Sequence, residues 1–241
     1  MMNVGTMRIL LLSGLGLLLA TSGCNRRDRD RQYFGEVRRE SQSVELDKAE
    51  KLNVELRMGV GELRVKGGSA KLLDADFTFD NPSMRPVVSY KPGTLHGELT
   101  VKAPPGTNIS AGRYEWALRF NDALPTNFVL NMGTGNAEMD LGTLTLRDLD
   151  IRMGVGNLDL DLRGTPTHDY DVQVKGGIGN AKIHLPAQTN IIADAKGGIG
   201  HIEGHNLVKR DGQWVSKTSD AKVTVHLDIQ GGIGNIELIA E

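Results

Sequence analysis

The feature that most narrows the folds open to this chain is a short motif, Gly-x-Gly between two apolar runs, that occurs six times after residue 50. Its clearest copies are KGGIGNAKIHLP from Lys175, KGGIGHIEG from Lys196 and QGGIGNIELIA from Gln230. MGVGELRV from Met58, MGTGNAEMDL from Met132 and MGVGNLDLDL from Met153 complete the set. The glycines are Gly59 and Gly61, Gly133 and Gly135, Gly154 and Gly156, Gly177 and Gly179, Gly198 and Gly200, and Gly232 and Gly234. Successive first glycines are 74, 21, 23, 21 and 34 residues apart. A period near 21 is the size of one coil in a stacked repeat. The step of 34 is one such unit plus an insertion around LVKRDGQWVSKTSD.

Residues on both sides of each glycine pair alternate apolar and polar, the period of a half-buried strand. Leu149, Ile151, Met153 and Val155 precede one corner, and Leu158, Leu160 and Leu162 follow it. The step from Val155 to Leu158 is odd, so strand phase slips at Gly156. Tight hairpins favour Asn-Gly, Asp-Gly or Gly followed by a polar residue, whereas the residue between these glycines is Val60, Val155, Ile178, Ile199 or Ile233, with Thr134 the exception. This pattern predicts a buried corner, stacked on its copies and built on glycines for their backbone angles.

Nucleotide binding fits poorly. A dinucleotide fingerprint needs GxGxxG opening a helix, and a phosphate loop needs GK[ST]; here every following segment is strand-like. A net charge of −2 offers no field for nucleic acid. The expected class is all-β: a β-solenoid-like stack of strand-GxG-strand repeats over residues 121–241, with a non-repeating N-terminal β cap over 44–120.

Stacking the repeats in chain order predicts columns. Asn136, Asn157, Asn180, His201 and Asn235 follow the second glycine, where Asn either tolerates a left-handed backbone or forms an amide ladder. Four residues further lie Asp140, Asp161, His184 and His205. Asp161, His184 and His205 are weak metal candidates by donor chemistry, but a flat strand face lacks enclosure. No metal or other cofactor is expected. Trp116 alternates with Leu118 and reads as core; Trp214 reads as the flank of a hairpin turning at Asp211 and Gly212, packed over the coil below.

The N-terminus reads as an export signal over residues 1–23: Arg8, the apolar run ILLLSGLGLLLA and TSG precede the only cysteine, Cys24. That arrangement resembles the lipobox of bacterial lipoproteins, with Thr21 where Leu is usual, and implies acylation of Cys24 and anchoring in the cell membrane or the outer membrane. Residues 24–43, with six Arg between positions 26 and 39 offset by acids, read as a charged tether.

ELRMGVGELRVKGGSAKLLDADFTFD and PVVSYKPGTLHGELTV resemble the N-terminal domain of the bacterial toast-rack family. WALRFNDALPTNFVLNMGTGNAEMDLGTLTLRDLDIRMGVGNLDLDL resembles the toast-rack body that follows. The resemblance implies an all-β stack related to adhesin-type solenoids and to the extracytoplasmic module of Lia-type envelope-stress regulators, and it implies no reaction. The residues themselves offer no GxSxG elbow and no HExxH helix. The expectation is a non-enzymatic, lipid-anchored envelope protein that binds another envelope protein or a glycan, or takes part in envelope stress. The alternative is a polysaccharide-acting enzyme on the same scaffold; the scarcity of aromatics for sugar stacking weighs against it.

Overall fold

A computed structural model describes residues 36–104, 112–217 and 221–241. The expected signal over 1–23, Cys24 and most of the expected tether lie outside the described residues. Six bends carry the architecture. β2 (Lys51–Lys66) and β7 (Thr126–Asp140) run through their corners unbroken. Elsewhere the corner divides the coil in two: β8 (Leu146–Val155) and β9 (Leu158–Asp161), β10 (Tyr170–Ile178) and β11 (Ala181–Leu185), β12 (Asn190–Ile199) and β13 (Ile202–His205), and β16 (Thr224–Ile233) and β17 (Ile236–Ala240).

All neighbouring coils pair in parallel, giving one 17-stranded sheet that bends along the corners into two halves, the first sheet before the corner and the second sheet after it. The arms before the corner stack as β2, β7, β8, β10, β16, β12. The arms after it stack as β2, β7, β9, β11, β17, β13. The stack therefore departs from chain order at one place. The C-terminal coil, β16 and β17, inserts between β10/β11 and β12/β13. It can do so because the inserted segment before it doubles back as a hairpin, β14 (Leu207–Arg210) and β15 (Gln213–Ser216), and β15 covers part of the outer edge of β12 through Ile192↔Val215 and Ala193↔Trp214.

The 74-residue step has a similar cause. β2 pairs directly with β7, and the intervening strands fold beyond β2 as a cap. β5 (His96–Lys102) lies parallel to the first arm of β2, with β4 (Val87–Lys91) antiparallel outside it. β6 (Tyr114–Phe120) lies parallel to the second arm, followed outward by β3 (Leu73–Phe79) and β1 (Arg38–Val44), both antiparallel. The charged segment expected to be a tether through residue 43 thus enters the sheet at Arg38, as an edge strand with Arg39, Ser41 and Ser43 exposed on one face and Glu40, Gln42 and Val44 half-buried on the other. Residues 121–125 form the loop between β6 and β7, and both of these strands pair with β2.

The wedge between the sheets is the core. Leu56, Leu130, Ile151, Val172, Ile229 and Ile191 fill it from the first sheet; Leu63, Met139, Leu160, Ile183 and Leu238 meet them from the second, all buried. Aromatics concentrate at the capped end, where Trp116 is fully buried with Phe77 edge-on at 5.8 Å, as its alternation predicts. Phe120 meets Phe128 at 5.3 Å, joining the cap to β7. Among the described residues, the core lies within the compact unit Phe34–Glu241.

Candidate functional site

The corner is built from what its glycines exclude. Gly179 has φ +143°, a region L side chains rarely adopt, and a Cβ there would stand 1.6 Å from the carbonyl oxygen of Gly156 in the next coil. Both the backbone angle and the close approach of coils demand glycine. Gly176 in the same motif differs: nothing lies within 4 Å of a Cβ added to it. The equivalent positions in the first three coils hold Met58, Met132 and Met153, which line the inner side of the bend. Gly176, Gly231 and Gly197 replace them in the last three, and Gly176 and Gly231 line, with Val174, Ile229 and Ile236, a cavity of about 40 Å³.

Beyond the second glycine runs a continuous ladder. Asn136 Nδ2 donates to Glu62 Oε1 at 3.1 Å, and Asn157 donates to Asn136 Oδ1 from its backbone N at 3.2 Å and from Nδ2 at 3.1 Å. Asn180 donates to Asn157 Oδ1 in the same two ways, at 3.2 and 3.3 Å. The backbone N of Asn235 then donates to Asn180 Oδ1 at 3.0 Å, and that of His201 to Asn235 Oδ1 at 3.1 Å. Of the two expectations for this column, the ladder is the one realised, since the second glycine and not the Asn carries the positive φ. The order Asn180, Asn235, His201 follows the inserted coil and not the chain.

The residue between the glycines faces solvent, against the expectation of a buried corner. Val155 is 44% exposed, Ile178 51%, Ile233 49% and Ile199 70%. A chain that bends around a core places its vertex side chain on the convex side, while residues before and after the bend fill the concave side. Pairing puts these four in one row, Val155↔Ile178↔Ile233↔Ile199, continued toward the cap by Thr134 and half-buried Val60. With about 4.8 Å between strands, the four apolar side chains form a ridge roughly 14 Å long, bordered by glycines. The polar Thr134 at this position was the one sequence signal that the vertex is not core.

The rows beside the ridge are sorted by charge. On the first sheet the nearest outward row reads Arg57, Asn131, Arg152, Lys175, Gln230, Lys196 and holds no carboxylate. Two residues further from the ridge the next row reads Glu55, Val129, Asp150, Gln173, Asp228, Asp194. Ion pairs run back along each strand: Arg57 to Glu55 at 2.6 Å, Lys196 to Asp194 at 3.0 Å, and Arg152 to Asp150. On the second sheet the nearest row is the amide ladder, with Glu62 its single acid.

The candidate metal column does not assemble. Ile239 of the inserted coil lies between His184 and His205, so the two histidines are two strands apart. Asp161 instead accepts from Arg163, at 3.0 Å from Nε and 2.5 Å from Nη2, which holds its carboxyl below the usual range. His184 Nδ1 meets Glu241 Oε1 at 2.6 Å, and Arg163 Nη1 reaches the same oxygen at 2.9 Å. His205 lies nearest Glu237, at 3.3 Å. Among the described residues no three His, Cys, Asp or Glu side chains gather as a metal site. Trp214 is half-buried over Gly204, with Lys209 Nζ 5.4 Å from its ring; Asp211 and Gly212, both with positive φ, turn its hairpin. These positions match the packing reading of that tryptophan.

The chain is similar to known proteins in fold and in sequence. The model of the family described as the N-terminal domain of toast_rack, DUF2154, matches residues 33–184. A crystal structure of a protein provisionally named a cell adhesion protein, from Clostridium sporogenes, superposes with a TM-score of 0.78 at 25% identity, covering 86% of this chain and 100% of its own. One provisionally named an adhesin, from Parabacteroides merdae, aligns over 85% of this chain and 96% of its own at 14% identity, with a TM-score of 0.28. No curated protein matches the chain.

Proposed function

The chain belongs to the family of the N-terminal toast-rack domain, and from that premise we propose that it is a non-enzymatic binding module of the cell envelope, anchored through an acylated Cys24 and presenting its corner ridge to another envelope component. The row Val155, Ile178, Ile233, Ile199 carries the reading. Large apolar side chains scattered singly over a surface need no explanation, whereas an aligned row of them does. Of the eight exposed large hydrophobics among the described residues, these four stand in one row. The similarity to the Clostridium sporogenes protein, whose given name is that of a cell adhesion protein, supports a binding role.

Affinity capture of the full chain from crosslinked envelopes tests the reading. A component recovered with the wild type and lost with the Ile178→Asp/Ile233→Asp variant is the expected result. Equal recovery with both proteins, or recovery of nothing above a Cys24→Ser control, would contradict it.

A further inference from the structure

We infer that the component this ridge contacts is an anionic lipid surface, with Val155, Ile178, Ile233 and Ile199 entering the interface and the adjoining cationic row lying among the headgroups. The inference rests on the binding role proposed above and names its ligand class.

Three observations point the same way. The ridge is apolar, convex and free of flanking bulk, since every residue bordering it in its own coil is glycine. A convex edge suits a soft, continuous surface better than a pocketed one, and burial of apolar side chains together with attraction to anionic lipid is how a protein surface holds to a bilayer without crossing it. The charges are layered by distance from the ridge. Arg57, Arg152, Lys175 and Lys196 stand in the first outward row on one side, and Asn136, Asn157, Asn180, Asn235 and His201 in the first on the other. Apart from Glu62 at the capped end, carboxylates begin two residues further away on both sides, about 7 Å along a strand. Seated on a bilayer, the molecule would place its cations at headgroup level and keep its acids in water. The ion pairs of Arg57, Arg152 and Lys196 run backward along the strands, toward those acids. Lys175 has Gln173 behind it on its own strand, and no ion pair is present at Lys175 among the described residues. A second copy seated ridge to ridge would gain apolar burial but leave the cationic rows without anions, so lipid is the better match.

The test uses residues 34–241, the compact unit that holds the core of the described residues, with vesicles of equal parts phosphatidylglycerol and phosphatidylcholine and vesicles of phosphatidylcholine alone. The protein is expected to sediment with the anionic vesicles, less so at high salt, and poorly with the neutral ones. Ile178→Asn with Ile199→Asn should weaken partitioning about tenfold. Lys175→Gln with Lys196→Gln should weaken it about fivefold for each charge removed. Unchanged thermal melts show that both variants are folded. Absence of wild-type sedimentation with anionic vesicles, equal partitioning of wild type and the isoleucine variant, or a ridge-dependent dimer in lipid-free sedimentation velocity each overturns the inference. Failure here combined with ridge-dependent capture from envelopes removes lipid as the ligand and leaves the binding role standing. Failure of both removes both.

Discussion

Ile178 and Ile233 stand opposite one another in adjacent parallel coils, 55 residues apart in the chain, and both side chains are half exposed. Their neighbours on either side, Val155 and Ile199, repeat the arrangement. An aspartate at position 178 should therefore leave the melting temperature nearly unchanged, within about 0.5 kcal/mol of wild type as for other surface sites. Ile151→Ala, at a fully buried position in the same stack, should cost about 2–5 kcal/mol. Paired denaturant titrations check both, and a collapse on Ile178→Asp would return the vertex to the core.

Two glycines of one motif should respond oppositely to alanine. Gly179→Ala forces an L residue to φ +143° and drives a methyl into the carbonyl of Gly156, costing about 1–3 kcal/mol for the angle and a comparable amount for the overlap. Gly176→Ala enters open space and should be neutral or slightly stabilising through the unfolded chain. Urea midpoints of the two variants provide the comparison. Equal losses at both positions would mean that the coils do not approach as closely as described.

Asn180 both donates along the ladder and accepts the backbone N–H of Asn235. Asn180→Ala should cost about 1–2 kcal/mol, the sum of modest net hydrogen bonds. It should also raise amide hydrogen exchange at Asn235 more than at Asn157, whose N–H is held by Asn136. Exchange read by mass spectrometry on the two peptides separates these outcomes.

The Asp161 carboxyl is held below its ordinary 3.8 chiefly by hydrogen bonds from Arg163. A depressed folded value means that this contribution is present above the ordinary range and is lost as pH falls through the depressed value. Arg163→Gln should accordingly be less stable than wild type near pH 7, and the gap should narrow below about pH 4. Urea unfolding at the two pH values reads it; a gap independent of pH would assign the effect to packing.

Much of this architecture was legible because side-chain alternation and the glycine spacing report the same geometry. The two arms of each coil, the corner, the amide ladder and the Asp211–Gly212 hairpin all follow from local pattern. Two properties were not legible. The position of β16 between β10 and β12 depends on which coil edges remain open after the hairpin has closed, a choice made by tertiary pairing. The outward turn of Ile178 depends on the sense of the bend, which the strand period does not encode once a glycine takes a positive φ. Stacking in chain order accordingly placed His184 and His205 in one candidate metal column, where Ile239 in fact separates them.

On the proposed reading, the corner ridge is the contact surface of this protein. A photoreactive benzophenone side chain placed at position 178 of the full chain, irradiated in intact envelopes, tests it most directly, with position 43 on the exposed edge strand β1 as the comparison. A specific adduct is expected from position 178, lost when Ile233 and Ile199 are changed to Asn, and none from position 43. Equal labelling from the two positions, or an adduct indifferent to the Ile233 and Ile199 changes, would contradict it.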